Sequence, residues 1–273
     1  FDWKVRKNFR KGYRREVGHQ VLHFEQAFHG RTGYTLSLTN TADPRKTMYF
    51  PRFDWPRLVN PKLRFPVDEA EVERVKAVEA LAIAQAKEAL LSSRDDVAAL
   101  IVEPIQGEGG DNHFRPEFFA ALRQLCDEND VLLILDEVQT GVGLTGSMWG
   151  FQTVGVHPDL FAFGKKTQVC GFASSSRLLE EAQNVFTVSS RINSTWGGNL
   201  VDMVRSRRYL EIIEAEHLVE NARAVGAFLL EKLGELAQEF PGRIGNVRGK
   251  GLFIAFDLPD GATRGKVLST WLQ

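Results

Sequence analysis

Residues 99–137 read ALIVEPIQGEGGDNHFRPEFFAALRQLCDENDVLLILDE, and this stretch determines the fold class. It opens and closes with continuous apolar runs, ALIV and VLLIL, which suit strands buried on both faces. Between the runs, Phe119, Leu122 and Cys126 recur at helical spacing, and Pro116 suits a first helical turn. The stretch predicts a β–α–β unit with a right-handed crossover, which is the building block of an α/β fold.

The alternation of apolar and amphipathic segments continues on both sides of this unit. Residues 160–163 predict another buried strand, and residues 20–26 and 35–39 are also predicted to be strands. A helix is predicted from about residue 68 to residue 91, and residues 247–257 predict one more strand. We therefore expect a mostly parallel central sheet that is flanked by helices.

The character of the sequence changes after residue 198. A helical stripe of apolar residues follows and breaks at Pro241. We predict a large domain over residues 1–205. Residues 206–273 are predicted to form a connecting helix and the start of a smaller α+β domain.

Composition excludes several classes of protein. The chain has 273 residues with 34 Lys+Arg against 35 Asp+Glu, and this balance gives no support for nucleic-acid binding. Two cysteines exclude a disulfide framework, and no apolar run approaches the roughly 20 residues that span a bilayer. We expect a cytoplasmic protein without membrane partners. The chain starts without methionine and stops within an apolar segment, so we also expect a piece of a longer protein.

Three successive predicted strands end in ionisable groups. Glu103 follows the first strand, the pair Asp136 and Glu137 ends the second, and Lys165 follows the third. The carboxyl ends of parallel strands share one edge of a sheet, where open α/β sheets bind ligands. A lysine amine forms a Schiff base with an aldehyde such as pyridoxal phosphate, whose ring nitrogen needs an acidic partner. Lys165 and Asp136 are candidates for these two roles.

Two other patterns suggest different chemistry. Residues 141–146 fit G-x-G-x-x-G directly after a strand, which is typical of dinucleotide binding. Asp136 and Glu137 would repel a pyrophosphate there, so we favour a glycine-rich loop that shapes a different pocket. His19 and His23 share a face but lack the further ligands of a helical zinc motif, so we predict no metal site.

Several motifs occur in the order typical of one enzyme family. They are FHGR at residues 28–31, EPIQGEGG at 103–110, LDEVQTG at 135–141 with PDLFAFGK at 158–165, and NSTWGGN at 193–199. With these motifs the chain resembles the class III pyridoxal-phosphate aminotransferases, from Phe1 to about Asp257. The resemblance implies a fold-type I pyridoxal-phosphate-dependent transferase with pyridoxal 5′-phosphate as its cofactor.

The resemblance also implies roles for individual residues around the cofactor. Lys165 would bind the cofactor covalently and shuttle a proton between the substrate carbon and the cofactor. Asp136 would pair with the pyridine nitrogen, and Gln139 would hydrogen-bond the 3′ oxygen of the ring. Phe28 would stack on the ring.

Further implied roles concern the substrates and the second subunit. Thr195 and Ser194 would reach the cofactor phosphate of the partner subunit, which implies a homodimer with its active site at the interface. Arg31 would bind the α-carboxylate of the lysine substrate, at the end distant from the reacting amine. Glu108 would act as a gate that pairs with an arginine for one substrate and moves for the other.

Within the class, the segments FDWK at residues 1–4 and GKKTQVCG at 164–171 resemble the lysine-specific branch. This resemblance implies transfer of the ε-amino group of L-lysine to 2-oxoglutarate, giving 2-aminoadipate 6-semialdehyde and L-glutamate. Another ω-amine substrate (ornithine or 4-aminobutyrate) and a degenerate, non-catalytic homologue stay open as alternatives. In the family a phosphate loop precedes Phe1 and the arginine partner of Glu108 follows Gln273, so we expect this chain alone to be inactive and poorly folded.

Overall fold

The computed structural model describes residues 1–93, 95–193, 195 and 197–271, the last of them by its backbone alone. Six strands form the main sheet: β1 (Gln20–Phe24), β2 (Arg57–Leu58), β3 (Val97–Val102), β4 (Leu132–Asp136), β5 (Leu160–Phe163) and β6 (Gly171–Ser174). Their order is β2-β1-β3-β4-β5-β6. Neighbours are parallel throughout except for β6, which pairs antiparallel with β5. The predicted mostly parallel sheet is confirmed.

Helices cover both faces of this sheet. The described helices are α1 (Asp2–Arg10), α2 (Gly33–Leu38), α3 (Glu69–Ser93), α4 (Pro116–Glu128), α5 (Phe151–Val154), α6 (Leu200–Ala215), α7 (Leu218–Glu239) and α8 (Gly261–Trp271). One core lies between the sheet and helices α3 and α4, and the other lies between the sheet and helices α1 and α2. The strands therefore need apolar side chains on both faces, which is why they appear as continuous apolar runs.

The β–α–β unit predicted from residues 99–137 is confirmed as β3, α4 and β4. The two strands pair in parallel, with Ala99 opposite Leu132 and Val102 opposite Leu135. Successive side chains alternate between the two cores because a strand has a period of two. In α4 the buried residues Phe118, Phe119, Leu122, Leu125 and Cys126 form its apolar face.

Two predicted strands differ from the structure. Residues 35–39 were predicted to be a strand, but they lie largely in helix α2. Both edges of β1 are paired with β2 and β3, so the segment cannot pair with β1, and it packs as a helix with Leu36 and Leu38 buried. The segment 247–257 was predicted to be one strand, but it is an antiparallel hairpin of β7 (Gly245–Lys250) and β8 (Phe253–Asp257). Gly251 has φ +56°, a conformation that ends β7 in a turn.

The last third of the described chain is built mainly from long helices. Residue 205, where the sequence suggests a domain boundary, lies inside α6. Helix α7 follows and packs with its residues Ala222 and Gly226 buried. Among the described helices, none is both long and apolar enough to cross a membrane.

Candidate active site

Three neighbouring strands of the main sheet end on one edge, as predicted. Strand β4 pairs in parallel with β3 on one side and with β5 on the other. Glu103 directly follows β3, Asp136 is the last residue of β4, and Lys165 lies two positions after β5. The three ionisable groups are therefore attached to adjacent strand ends, where open α/β sheets bind ligands.

Asp136 is a buried carboxylate that is held from two sides. Its Oδ2 lies 2.9 Å from Nδ1 of His29, and its Oδ1 accepts a hydrogen bond of 3.1 Å from the backbone N–H of Val138. The side chain is 11% exposed. Each oxygen keeps a free lone pair, so the carboxylate can accept a further hydrogen bond from a cationic ring N–H.

His29 is buried next to two carboxylates. Its side chain is 1% exposed, and its Nε2 has no hydrogen-bond partner among the described residues. Burial lowers the pKa of His29, but the hydrogen bond and charge of Asp136 and the charge of Glu103 outweigh this effect, so the pKa is raised. His29 can therefore donate from Nδ1 to the Asp136 carboxylate.

Glu103 joins two segments of the site. Its carboxylate oxygens accept hydrogen bonds from the backbone N–H groups of Phe28 and Gly107, both at 3.0 Å. Burial raises the pKa of Glu103 to about 7, against the lowering effects of His29 and of the two amides. This carboxyl group therefore titrates near neutral pH while it fixes the backbone on both sides.

The segment that carries Phe28 and His29 is fixed by Thr39. The hydroxyl of Thr39 donates to the carbonyl of Gly30 at 2.6 Å and accepts from the N–H of His29 at 3.1 Å. Gly30 has φ +127°, and a Cβ there would lie 2.5 Å from Oγ1 of Thr35. Glycine is therefore required at this turn, and it positions the half-buried ring of Phe28.

Gln139 lies against the loop that follows Glu103. A Cβ added to Gly107 would lie 2.3 Å from Oε1 of Gln139, so the amide of Gln139 rests on the backbone of Gly107. The structure thus brings Phe28, Asp136 and Gln139 together through the contacts of His29 and Glu103.

Glu108 is paired with Lys46 in the described structure. Its Oε1 contacts the ammonium of Lys46 and accepts a 2.8 Å hydrogen bond from the hydroxyl of Thr41. Its Oε2 is buried without a partner among the described residues. The Lys46 ammonium also lies 5.9 Å from the centroid of the Phe28 ring. Glu108 therefore borders the same site and has one oxygen available for another donor.

Lys165 is exposed in a tight turn after β5. Its φ is +51°, and the N–H of Gln168 closes the turn on the Lys165 carbonyl at 3.0 Å. The next residue, Lys166, donates to the carbonyl of Gln139 at 2.7 Å, and burial together with the charge of Lys165 lowers its pKa. Lys166 is therefore engaged in the structure, whereas the amine of Lys165 is accessible.

Three other predicted residues are not brought into this cluster. Arg31 is exposed, and its side chain has no hydrogen bond or ion pair among the described residues. Thr195 is exposed in a turn before α6. Ser194 lies outside the residues that the structure describes.

Glu137 is adjacent to Asp136 but takes part in a different structure. Its carboxylate accepts hydrogen bonds from the N–H of Gly150 at 2.8 Å, from the N–H of Phe151 at 2.7 Å and from the hydroxyl of Thr140. Burial raises the pKa of Glu137, although these three donors oppose the rise. Glu137 anchors the start of α5 and is not available to the site.

The glycine-rich stretch 141–146 lies against α7. Cβ atoms added at Gly143 and Gly146 would lie 3.1 Å from Val219 and 3.0 Å from Arg223. The loop lines an apolar cavity of about 380 Å³ together with residues of α6 and α7. The stretch therefore lacks the strand–loop–helix context of a dinucleotide site, and close packing explains its glycines.

Sequence reasoning missed two residues of the cluster. His29 lies inside the FHGR motif, and a histidine next to the stacking aromatic residue was the available signal. Lys46 lies in the short 3-10 turn Pro44–Lys46, and its pairing with Glu108 depends on tertiary contact alone.

The cluster fits pyridoxal phosphate. A buried carboxylate with free lone pairs is available for the pyridine N–H at Asp136. An accessible amine is present at Lys165, and a half-buried aromatic ring is present at Phe28. These are the acid, the nucleophile and the ring face that this cofactor requires.

Comparisons with known proteins agree with this arrangement. A family model described as aminotransferase class-III matches residues 3–272. The L-lysine-epsilon aminotransferase of Mycobacterium tuberculosis is 56% identical over 98% of this chain and 59% of its own length. The enzyme of that name from Amycolatopsis lactamdurans is 51% identical over 98% of this chain and 59% of its own length.

A solved structure is equally similar. The lysine aminotransferase from M. tuberculosis in the internal aldimine form has 56% identity and a TM-score of 0.94, over 98% of this chain and 61% of that one. The chain thus spans about 59% of the length of the curated relatives that it matches.

Proposed function

The chain belongs to the class III aminotransferases, a family of fold-type I, and on this premise we propose that the protein transfers the ε-amino group of L-lysine to 2-oxoglutarate. The products are 2-aminoadipate 6-semialdehyde and L-glutamate, and pyridoxal 5′-phosphate is the cofactor. The observation that carries the proposal is the buried Asp136 carboxylate, supported by His29, on the strand adjacent to the one that leads to the accessible Lys165. Relatives at 51–56% identity that are named for lysine support the substrate.

Bound pyridoxal phosphate supplies an aldehyde carbon that joins an amine and a ring that withdraws electrons from the adjacent substrate carbon. Asp136 would accept the pyridine N–H and favour the protonated form of that nitrogen. His29 would support this role by donating to the other side of the Asp136 carboxylate, since the pKa of His29 is raised. Gln139 would donate its amide to the ring oxygen, and Phe28 would stack on the ring.

Lys165 would supply the amine that binds the cofactor and would move a proton between the substrate carbon and the cofactor. Its turn is short and closed by its own hydrogen bond, which limits where the amine can reach. Lys166 is unsuited to this role because its ammonium donates to the carbonyl of Gln139.

Two charged residues support a substrate with a carboxylate far from the reacting amine. Arg31 is exposed at the start of the segment after Phe28, and its planar guanidinium suits a carboxylate. Glu108 pairs with Lys46 and keeps one oxygen free, so it can exchange partners between an amino acid and a dicarboxylate. This exchange allows one pocket to accept both substrates in turn.

We also infer a homodimer. Thr195 is exposed in a turn before α6 and is free to face a second subunit, which supports a role at the cofactor phosphate of a partner subunit. A cytoplasmic location stays a prediction.

The test uses the complete gene product, purified with pyridoxal phosphate and titrated with L-lysine in the absence of an oxoacid. We expect the visible band of the bound cofactor to disappear and the cyclised semialdehyde to form. With lysine labelled by ¹⁵N at the ε position and 2-oxoglutarate added, the label should pass to glutamate, whereas α-labelled lysine should transfer none.

The control is Lys165→Ala, which should abolish the lysine-dependent loss of the band, whereas Lys166→Ala should react. A band that persists with lysine but disappears with ornithine or 4-aminobutyrate would retain the family and reject the substrate. Absence of any band from the loaded protein would identify a non-catalytic homologue and reject the role of Lys165.

A further inference from the structure

The loop that carries Glu108 is a closed unit, defined here as the Glu108 loop (residues 106–112). Gln106 and Asn112 close its base through two backbone hydrogen bonds of 3.0 Å and a side-chain bond of 2.9 Å. The N–H groups of Gly110 and Asp111 both donate to the carbonyl of Gly107 at 3.1 Å. The base and its first turn are thus fixed from within, and Glu108 lies between this base and the tip of the loop.

The tip of the Glu108 loop is held from outside by Arg248 of strand β7. Arg248 is 6% exposed, and its guanidinium donates to the carbonyls of Gly110 at 2.6 Å and Asp111 at 3.0 Å. It also donates to the carbonyl of Asn246 at 2.7 Å and pairs with Asp257 at 2.9 Å. A fork of this kind fixes the two carbonyls of the tip relative to the hairpin.

The carbonyl side of the tip borders an open space. A cavity of about 560 Å³ lies between the tip and the segment 62–65 and is lined by Gly109, Gly110 and Asn112. Asp111 has φ +50°, which is unfavourable for a residue with a side chain and persists only when the surroundings hold it. The N–H groups of the tip donate within the loop, and Arg248 holds its carbonyl groups on the side of the cavity.

We propose that Arg248 is a positioning residue that holds the Glu108 loop and thereby sets how strongly the site discriminates between its amino donor and its dicarboxylate oxoacid. The inference rests on the proposed function, because it takes Glu108 as the group that exchanges partners. Held at both ends, the loop keeps Glu108 beside Lys46 and Thr41. If its tip is released, the loop lets Glu108 move away from Lys46 and Thr41. This movement favours binding of the dicarboxylate over binding of the amino donor.

The test variant is Arg248→Lys in the complete, cofactor-loaded protein. A lysine keeps the charge, but its single ammonium cannot bridge the two carbonyls and Asp257. Each half-reaction is measured separately in single turnover, first with L-lysine and then with 2-oxoglutarate. We expect kcat/KM for lysine to fall about tenfold through KM, with a change of about twofold or less for 2-oxoglutarate. Amide exchange of residues 107–112 should accelerate.

Two control variants separate positioning from loss of structure. Arg223→Lys removes a similar guanidinium fork, since Arg223 donates to the carbonyl of Gly146 at 2.6 and 3.0 Å, on a loop without Glu108. Asp257→Asn removes the ion pair of Arg248 but leaves its bonds to the tip. Both variants should leave the ratio of the two half-reactions and the exchange of residues 107–112 unchanged.

Equal loss in both half-reactions, or an unchanged ratio, would overturn the role of Arg248. A changed ratio in Arg223→Lys as well would also overturn it, since the effect would then not depend on the Glu108 loop. Failure of the proposed function has a different signature, because the unsubstituted protein would not react with lysine. In that case the ratio is measured with ornithine or 4-aminobutyrate, whichever discharges the cofactor band.

Discussion

Two consecutive carboxylates at the end of β4 have opposite surroundings. Asp136 has one hydrogen bond on each oxygen, and its partner His29 has a nitrogen without a partner among the described residues. Glu137 accepts three hydrogen bonds from Thr140, Gly150 and Phe151. Asp136 is the last residue of β4 and Glu137 is the first residue after it, and the two side chains have different neighbours. Incomplete hydrogen bonding therefore distinguishes a residue available for a ligand from one committed to the fold.

The first prediction separates the two residues by activity. Asp136→Asn keeps the shape of the side chain but removes the negative charge that, in the proposed function, favours a protonated pyridine nitrogen. We expect turnover of lysine to fall about 10³-fold, a loss typical of removing a preorganised electrostatic partner. The measurement is single-turnover discharge of the cofactor band. Glu137→Gln, the same acid-to-amide change one residue later, should retain turnover within about tenfold, and an equal loss in both variants would remove the distinction.

The second prediction compares the same pair by stability. In Glu137→Gln an amide NH₂ faces one of three buried donors at the start of α5, so one of them is left unsatisfied. We expect the free energy of unfolding of the cofactor-free protein to fall by about 2 kcal/mol. Asp136→Asn should lower it by less than about 1 kcal/mol, because the amide oxygen can still accept from the N–H of Val138 and a neutral His29 can accept from the amide NH₂ through Nδ1. Urea unfolding of the two variants checks this, and a larger loss in Asp136→Asn would contradict it.

The sequence predicted the edge of the sheet because local pattern and tertiary position agree there. Continuous apolar runs of this length suit strands buried on both faces, and they place Glu103 and Asp136 at their carboxyl ends. It did not distinguish Asp136 from Glu137, since both are acids at one strand end. Their difference arises from Gly150 and Phe151, which are distant in sequence.

Other differences between the sequence-based predictions and the structure have the same physical origin. The alternation in residues 35–39 suits a strand, but no free strand edge exists beside β1, and the segment forms α2. The partner that Glu108 has among the described residues is Lys46, which no local pattern marks, and the arginine partner implied by the resemblance stays a prediction. Pairings of this kind depend on which loops the fold brings together, and a single sequence does not contain that information.

The third prediction concerns Glu103, whose burial resembles that of Glu137 but whose neighbours are His29 and Asp136. The pKa of Glu103 is raised from 4.5 to about 7 by folding, so the folded state binds more protons than the unfolded chain between these values. Stability is therefore lost as pH rises from 4.5 to 7. The raised pKa of His29 acts in the same direction above pH 6.5.

Glu103→Gln should remove this dependence. We expect the difference in free energy of unfolding between pH 5 and pH 8 to change by about 2 kcal/mol relative to the unsubstituted protein. The pKa values of His23 and His113 are lowered to about 4, so these two residues make stability rise with pH below pH 6.5. Their contribution is the same in both proteins and cancels in the comparison. Identical pH profiles for the two proteins would show that Glu103 does not titrate in this range.

The smallest expected effect comes from Gly107, whose backbone lies against the side chain of Gln139. In Gly107→Ala the new Cβ meets Oε1 of Gln139 at 2.3 Å, and this side chain can move, so we expect a stability loss below about 1 kcal/mol. The displaced amide would leave the ring oxygen, so the visible band of the bound cofactor should shift.

Gly109→Ala is the matched control, because its Cβ meets the backbone carbonyl of Gln26 at 2.2 Å. That backbone cannot yield as easily, and Gly109→Ala should cost about 1–3 kcal/mol. A spectral shift in Gly107→Ala but not in Gly109→Ala, despite the smaller stability loss of Gly107→Ala, would place Gln139 at the cofactor ring. If the spectral shift is instead larger in the less stable variant, both shifts arise from general loosening of the loop.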